Sequence, residues 1–260
     1  QCFNVLKNIK EEDNIAWFHC SSLGEFEQAR NLIENFKQNY PTYKILLSFF
    51  SPSGYEIRKN YPYADFVVYL PFDTRRKAKK FIRLAHPKIV FFVKYEFWFN
   101  FIRQMKDIPF FQVSLILRKN HYFLSWYGSW FARQLKNFNF FFVQDENTKE
   151  ILERLGYKNS VISGDTRFDR VFDIKKEDKH FPMIEKFCQD KRIFIAGSSW
   201  KEDETLINQA LQDTDMKIIL APHLIDKGHI DFIMNLFPNS VLYSQLTEEN
   251  AERSNVLIID

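Results

Sequence analysis

Short, wholly apolar runs alternate with amphipathic, helix-patterned segments along most of this chain, and that alternation constrains the fold more than any other feature. Ile89-Val90-Phe91-Phe92-Val93 is apolar at every position, the signature of a strand covered on both faces of a sheet. Comparable runs predict strands over Ile15–Cys20, Lys44–Phe50, Phe66–Leu70, Lys88–Val93, Pro109–Ser114, Asn139–Val143 and Ser160–Ser163. Between them, helices are predicted over Gly24–Gln38, Ser53–Asn60, Thr74–Leu84, Glu96–Met105, Phe123–Leu135 and Glu146–Leu155. Strands and helices in strict alternation imply a parallel sheet joined by right-handed crossovers. The charged stretch Asp173–His180 reads as a linker. Beyond it, strands at Arg192–Ala196, Lys217–Ala221, Val241–Tyr243 and Val256–Ile259 alternate with helices near Lys201–Leu211 and Ile230–Leu236. The expectation is an α/β protein with a first domain over residues 1–170 and a second over 171–260. Because the second series stops on a strand at Asp260, that domain is expected to be partial.

Composition removes several function classes. The seven glycines stand at 24, 54, 128, 156, 164, 197 and 228, so neither G-x-G-x-x-G nor a phosphate-binding P-loop can be assembled from them. Three distant cysteines, Cys2, Cys20 and Cys188, suggest a reducing compartment and no disulfide framework. Neither they nor the six scattered histidines have metal-ligand spacing, so no protein-held metal and no cofactor is expected. No apolar run approaches the roughly 20 residues that span a bilayer, and the first residues do not resemble a signal peptide. Charge is uneven: residues 1–170 carry 26 Lys and Arg against 17 Asp and Glu, whereas residues 171–260 carry 10 against 16. The basic excess peaks between Arg75 and Lys119. Such a field attracts anionic lipid, nucleic acid or a phosphorylated substrate. A solvated helix face over Arg75–Lys80 explains the same residues.

The junction Trp17-Phe18-His19-Cys20-Ser21-Ser22-Leu23-Gly24-Glu25-Phe26-Glu27 reads as a buried strand, a tight turn and the first turn of a helix. Open α/β sheets bind ligands at such strand ends, and a carboxylate at Glu25 is placed to act as a base. On local pattern alone helix capping is the simpler explanation, since Ser22 followed by Glu25 fits a capping box. Other polar groups recur at strand ends: Ser51-Pro52-Ser53-Gly54, Leu70-Pro71-Phe72-Asp73, Lys94-Tyr95-Glu96-Phe97-Trp98-Phe99-Asn100, Arg118-Lys119-Asn120 and Gly164-Asp165-Thr166-Arg167-Phe168-Asp169. In the second series, Ala196-Gly197-Ser198-Ser199 and Ala221-Pro222-His223 occupy matching places.

Taken in order, these elements resemble the Kdo transferases, the 3-deoxy-D-manno-octulosonic acid transferases of lipopolysaccharide synthesis. The match runs from about Trp17 to Asp260; Phe99 stands where Pro is frequent, and Ser114-Leu115-Ile116-Leu117-Arg118 where Asn-Ala-Arg-Leu is common. The resemblance implies a GT-B arrangement, two Rossmann-like domains facing across a cleft, the first taking a lipid acceptor and the second the donor. It further implies inverting, metal-free transfer of Kdo from CMP-Kdo to lipid IVA. Glu25 matches the base, with Glu96 orienting the acceptor or holding the Glu25 loop, or simply opening a helix. Gly197, Ser198, Ser199, Pro222 and His223 match donor elements, with His223 where Arg is common. Ser22, Gly24, Lys94, Arg118 and Arg167 are the acceptor-side candidates, and Trp98 reads as core. The aromatic segment His121–Phe131 beside Arg118-Lys119 suits docking to the anionic cytoplasmic face of an inner membrane, or a core helix. Two rival readings remain: another GT-B nucleotide-sugar transferase with a non-lipid acceptor, and a non-catalytic module binding anionic lipid or nucleic acid. The family pattern favours the transferase, with no nucleic-acid partner.

Overall fold

The computed structural model describes residues 2–118, 128–176, 180–211 and 214–260. The chain divides into two compact units, Gln1–Glu177 and Asp178–Asp260.

The first unit begins with α1 (Cys2–Leu6) and proceeds through β1 (Asn14–His19), α2 (Leu23–Asn39), β2 (Tyr43–Phe49), α3 (Pro52–Arg58) and β3 (Phe66–Tyr69). It continues with α4 (Arg75–Ala85), β4 (Ile89–Val93), α5 (Phe99–Ile102), β5 (Phe110–Leu115), α6 (Ser129–Ala132), β6 (Phe140–Val143), α7 (Glu146–Arg154), β7 (Ser160–Ile162) and α8 (Thr166–Lys176). All seven expected strands are present. They form one parallel sheet in the order β3-β2-β1-β4-β5-β6-β7. The order reverses between β1 and β4, and the crevice outside the carboxyl ends of those strands is where open α/β sheets take ligands.

Burial explains the apolar runs. Along β1, Trp17 faces one apolar cluster and Phe18 the other; along β4, Phe92 and Phe91 divide the same way. Both faces are covered, so neither can alternate with polar residues. The many phenylalanines fill these layers in tilted and edge-on contacts, with Trp17 at 4.7 Å from Phe81 and 5.2 Å from Phe92. Gly54 is required by packing, because a Cβ there would lie 2.2 Å from the Phe49 ring.

Helix boundaries differ from expectation in three places. The segment predicted as a helix over Glu96–Met105 is helical only over Phe99–Ile102. Asp73 sets that start by accepting the backbone N–H groups of Asn100 and Phe101 at 3.0 and 3.2 Å. Glu96 is therefore a loop residue and not a helix-start acid. The expected linker over Asp173–His180 begins inside α8, which packs on α2. Of the helix expected over Phe123–Leu135, residues 123–127 lie outside the described residues; the remainder is α6 followed by a 3-10 turn over Arg133–Asn137.

The second unit contains α9 (Pro182–Cys188), β8 (Ile193–Ser199), α10 (Lys201–Leu211), β9 (Lys217–Pro222), α11 (Lys227–Leu236), β10 (Ser240–Leu242), α12 (Glu248–Arg253) and β11 (Val256–Ile258). Its four strands form a parallel sheet in the order β10-β11-β9-β8. The carboxyl ends of β8 and β9 are neighbours, paired as far as Ser199 and Pro222 with a register shift after Gly197.

Candidate active site

Three elements of the first unit deliver polar groups to the β1/β4 switch point. The turn after β1 carries Ser21 and Ser22, the first turn of α2 carries Glu25, and the loop after β4 carries Lys94 and Glu96. Glu25 is only 7% exposed. Its Oε2 accepts the Ser22 backbone N–H at 2.9 Å, so the capping role is real. Among the described residues, Oε1 makes no hydrogen bond. Cap and base are thus compatible: one oxygen fixes the side chain and the other is spare. Burial, reinforced by the charge of Glu96, pushes the Glu25 carboxyl above the usual range, against the opposing pull of the Ser22 N–H, His19 and Lys94.

Glu96 behaves in the opposite way. Burial alone would raise its pKa, but His19, the Trp98 indole and the Ser21 side chain together hold it below the usual carboxylate value. The Trp98 N–H donates to Glu96 Oε2 at 2.6 Å, so Trp98 is a partner of the site and not simply core. Two neighbouring carboxylates thus have their pKa values driven apart, the pattern that separates roles in acid–base sites.

Lys94 takes a left-handed backbone conformation (φ 69°), as do Ser114 at the end of β5 (φ 55°) and Ser198 at the end of β8 (φ 61°). Non-glycine residues held there carry strain, and such positions gather at functional edges. The Gln112 side-chain amide donates to the Lys94 carbonyl and pins that turn. Arg167 is committed to Asp165, with Nε–H donating to Oδ2 at 2.8 Å, so much of its charge is answered within the chain. Arg118 is exposed at the edge of the described residues, and Gly24 is exposed with open space beside it. Residues 121–127 of the aromatic segment lie outside the described residues; Trp130 is 48% exposed. The motifs Leu70–Asp73 and Glu96–Asn100 lock together, since the Asn100 side-chain amide also donates to the Asp73 carbonyl at 2.8 Å.

In the second unit the proposed donor residues gather at the carboxyl ends of β8 and β9. Ser198 Oγ lies 2.8 Å from His223 Nδ1, and the Trp200 and His223 rings stack at 4.5 Å. The His223 backbone N–H donates to the Ser199 carbonyl at 2.9 Å. Gly197 is exposed and Pro222 half-buried. Ser199, by contrast, points inward and donates to Glu204 Oε1 at 2.8 Å, while Glu204 Oε2 lies 2.8 Å from His229 Nε2. Among the described residues no group of three or more His, Cys, Asp and Glu side chains is arranged to hold a metal ion.

Sequence reasoning gave no role to His19, Ser48, Ser21, Asp165, Glu204 or His229. His19 was visible as a polar residue in an otherwise apolar strand, but its partners Ser48 and Glu96 are distant in sequence; Glu204 stands in the charged run Lys201-Glu202-Asp203-Glu204, where nothing marks it as buried.

Residues 1–170 match the family described as 3-deoxy-D-manno-octulosonic-acid transferase (kdotransferase). The chain belongs to this Kdo transferase family. The matched span contains every candidate of the first unit and none of the second. Among curated relatives, the chain is 26% identical to the 3-deoxy-D-manno-octulosonic acid transferase of Haemophilus influenzae over 74% of this chain and 46% of that protein. It is 24% identical to the Aquifex aeolicus transferase of the same name, over 88% of this chain and 62% of that protein. A bifunctional glycosyltransferase/methyltransferase of Fusobacterium nucleatum is 27% identical over 97% of this chain and 41% of its own length. The chain thus spans about half the length of the curated relatives it matches. Among solved structures, a putative UDP-N-acetylglucosamine 2-epimerase from Listeria monocytogenes superposes with a TM-score of 0.61 at 12% identity, covering 95% of this chain and 69% of that one. An Anabaena protein solved with UDP-glucose gives 0.52 at 14% identity, covering 94% and 68%. These likenesses show the fold. The chain is of the GT-B type, with Rossmann-like units built on parallel sheets.

Proposed function

We propose that this chain forms the acceptor-side domain and part of the donor-side domain of an inverting transferase that moves Kdo from CMP-Kdo to lipid IVA. The observation that carries this reading is Glu25: a carboxylate at the switch point of a Kdo transferase chain, with its pKa raised by burial and by Glu96 and one oxygen spare. A sugar hydroxyl is a poor nucleophile at neutral pH. Glu25 removes its proton as the oxygen attacks the anomeric carbon; the bond from that carbon to the CMP phosphate breaks, and CMP leaves with the electron pair. A general base of this kind contributes about 10²–10⁴-fold. A raised pKa suits the task, because a stronger base accepts the proton more readily.

The remaining candidates divide by charge. The phosphate of the leaving group gains charge as the bond breaks, and hydrogen-bond donors aimed at it lower the barrier. Ser198, His223 and the backbone around Gly197 serve that end, while the buried Ser199 supports the turn. Lys94, Arg118 and Arg167 serve the acceptor phosphates. The exposed basic face of α4, Arg75, Arg76, Lys79, Lys80 and Arg83, turns its charge outward while Ala78, Phe81 and Ala85 are buried. It supports docking on the anionic cytoplasmic face of the inner membrane. No described helix is long and apolar enough to cross a bilayer.

The test is Kdo transfer to labelled lipid IVA by the full-length protein, with CMP-Kdo made in situ. Transfer by the natural protein and a loss of about 10² or more in Glu25→Gln, with folding intact, is the expected outcome. Full activity in Glu25→Gln overturns the base assignment. No transfer by the natural protein overturns the substrate reading.

A further inference from the structure

His19 ends β1 fully buried and makes no direct hydrogen bond to Glu25 or Glu96. Its ring is held edge-on by Phe92 at 5.0 Å and Trp98 at 5.7 Å. On one side, Nδ1 lies 2.9 Å from Ser48 Oγ and 3.2 Å from the Ser48 carbonyl. On the other, Nε2 is buried, has no hydrogen-bond partner among the described residues, and lies 3.8 Å from Glu96 Oε2. A buried, unpartnered nitrogen is costly unless something uses it.

The groups around the ring compete for its proton. The Trp17 indole donates to Ser48 Oγ at 2.8 Å. An indole N–H has no acceptor capacity, so Ser48 Oγ accepts there and retains its own proton to give. Given to His19 Nδ1, that proton makes Nδ1 an acceptor and leaves the neutral ring's N–H on Nε2, facing Glu96. The other tautomer would turn an Nε2 lone pair on a carboxylate. An imidazolium also carries Nε2–H. The Ser48 carbonyl, 3.2 Å from Nδ1, can only accept and draws the proton to Nδ1, while the Glu96 carboxylate draws it to Nε2; the Nε2–H tautomer and the imidazolium both point a donor at Glu96.

We propose that His19 is a positioning residue of the active site, whose Nε2–H, oriented by the Trp17–Ser48 relay, holds the Glu96 carboxylate against the turn that carries Glu25. The inference rests on the reading of Glu25 as the base. The 3.8 Å separation is an electrostatic contact that a movement of about 1 Å turns into a hydrogen bond, and such bonds commonly tighten only when substrate is bound. Among the described residues, Glu96 of the loop after β4 lies 3.8 Å from this nitrogen, and Glu25 of α2 feels His19, Lys94 and Glu96 electrostatically; Cys20, the next residue along the chain, feels both carboxylates, and Ser48 of β2 meets the other ring nitrogen. The field is dominated by carboxylates: burial and then the charges of Glu25 and Glu96 push the Cys20 thiol well above its usual value. A fixed donor keeps Glu96 ionised, and ionised Glu96 in turn keeps Glu25 basic.

Two measurements test this. The first needs no substrate: long-range 1H–15N NMR of the imidazoles in the full-length protein, with His19 assigned by its loss in His19→Phe. The expected spectrum has the proton on Nε2, and Ser48→Ala mixes the tautomers. A ring protonated on Nδ1 alone overturns the proposal. The second is the pH profile of Kdo transfer. His19→Phe preserves the ring packing and removes both nitrogens. It should lower kcat about tenfold at neutral pH, leave KM nearly unchanged, and move the acidic limb set by Glu96 ionisation to higher pH, because Glu96 loses the donor that keeps it ionised. His19→Gln, which retains an N–H, should recover part of the loss. A folded His19→Phe with an unaltered profile overturns the proposal. If His19→Phe does not fold, Ser48→Ala carries the same prediction in weaker form. Absence of transfer by the natural protein would refute the transferase reading, whereas the tautomer result judges His19 by itself.

Discussion

Replacing His229 with Leu should destabilise the second unit by about 3–5 kcal/mol, while replacing Glu204 and His229 together should cost much less. Glu204 is 0% exposed and His229 3%, and their side chains meet at 2.8 Å. The second Glu204 oxygen accepts the Ser199 hydroxyl. Removing the imidazole leaves a carboxylate in a dry site with a single donor. Truncating one partner of a buried pair has the large cost above because the other charge stays buried and uncompensated. Replacing both partners with Leu removes that penalty and adds apolar contact. What remains is the Ser199 hydroxyl without its acceptor, about 1–3 kcal/mol. The double-mutant cycle should therefore give a coupling of about 2 kcal/mol or more. Urea denaturation of the full-length variants measures the totals. Hydrogen exchange of Ile193–Ser199 and Lys217–Pro222 localises the loss to the strands that Ser199 ties down. A single-variant cost under about 1 kcal/mol, or a double variant equal to the sum of the singles, would refute the reasoning. Because Ser199 follows the left-handed Ser198 that bonds His223, the His229 variant should also weaken donor binding.

Three further outcomes follow from the first unit. Glu25 has a raised pKa in the folded state, so its contribution to stability is fully present below the unfolded carboxylate value of about 4.3 and is lost as pH rises through the folded value. Glu25→Gln keeps an oxygen for the Ser22 N–H and removes the charge; its Tm should match the natural protein in acid and exceed it near neutrality. A natural protein that gains on the variant as pH rises would show the sign to be wrong. Asp73→Ala leaves the Asn100 and Phe101 N–H groups without their acceptor and should cost about 1–2 kcal/mol by urea denaturation. Gly54→Ala drives a Cβ into the buried Phe49 ring, which has nowhere to go, and should cost about 1–3 kcal/mol by the same measurement.

Much of the architecture was legible because it is written in short-range terms. A run such as Ile89–Val93 has no face it can show to water, so it must be an inner strand. Ser22 and Glu25 are three residues apart, close enough to cap a helix without help from elsewhere. Helix extents were less legible. The apolar residues around Phe97–Ile102 fit a helix from Glu96 onward, yet Asp73 caps the chain later, at the turn that begins with Phe99. The charged stretch Asp173–His180 looks like a linker, yet α8 runs on through Lys176 because it has α2 to pack against.

By itself, the sequence determined the α/β class, the sheet-forming strands and the identity of Glu25 as a group at a strand end. Local pattern suffices for these, since burial and capping act within a few residues. Only the tertiary structure decided what surrounds Glu25. The strand order sets β1 between β2 and β4, and so brings Ser48 and Glu96 to opposite sides of His19. The same order places Glu96 close enough to Glu25 for one carboxyl to rise while the other falls. A pKa depends on charges and donors a few ångströms away whatever their separation along the chain, and that proximity exists only once the sheet has formed.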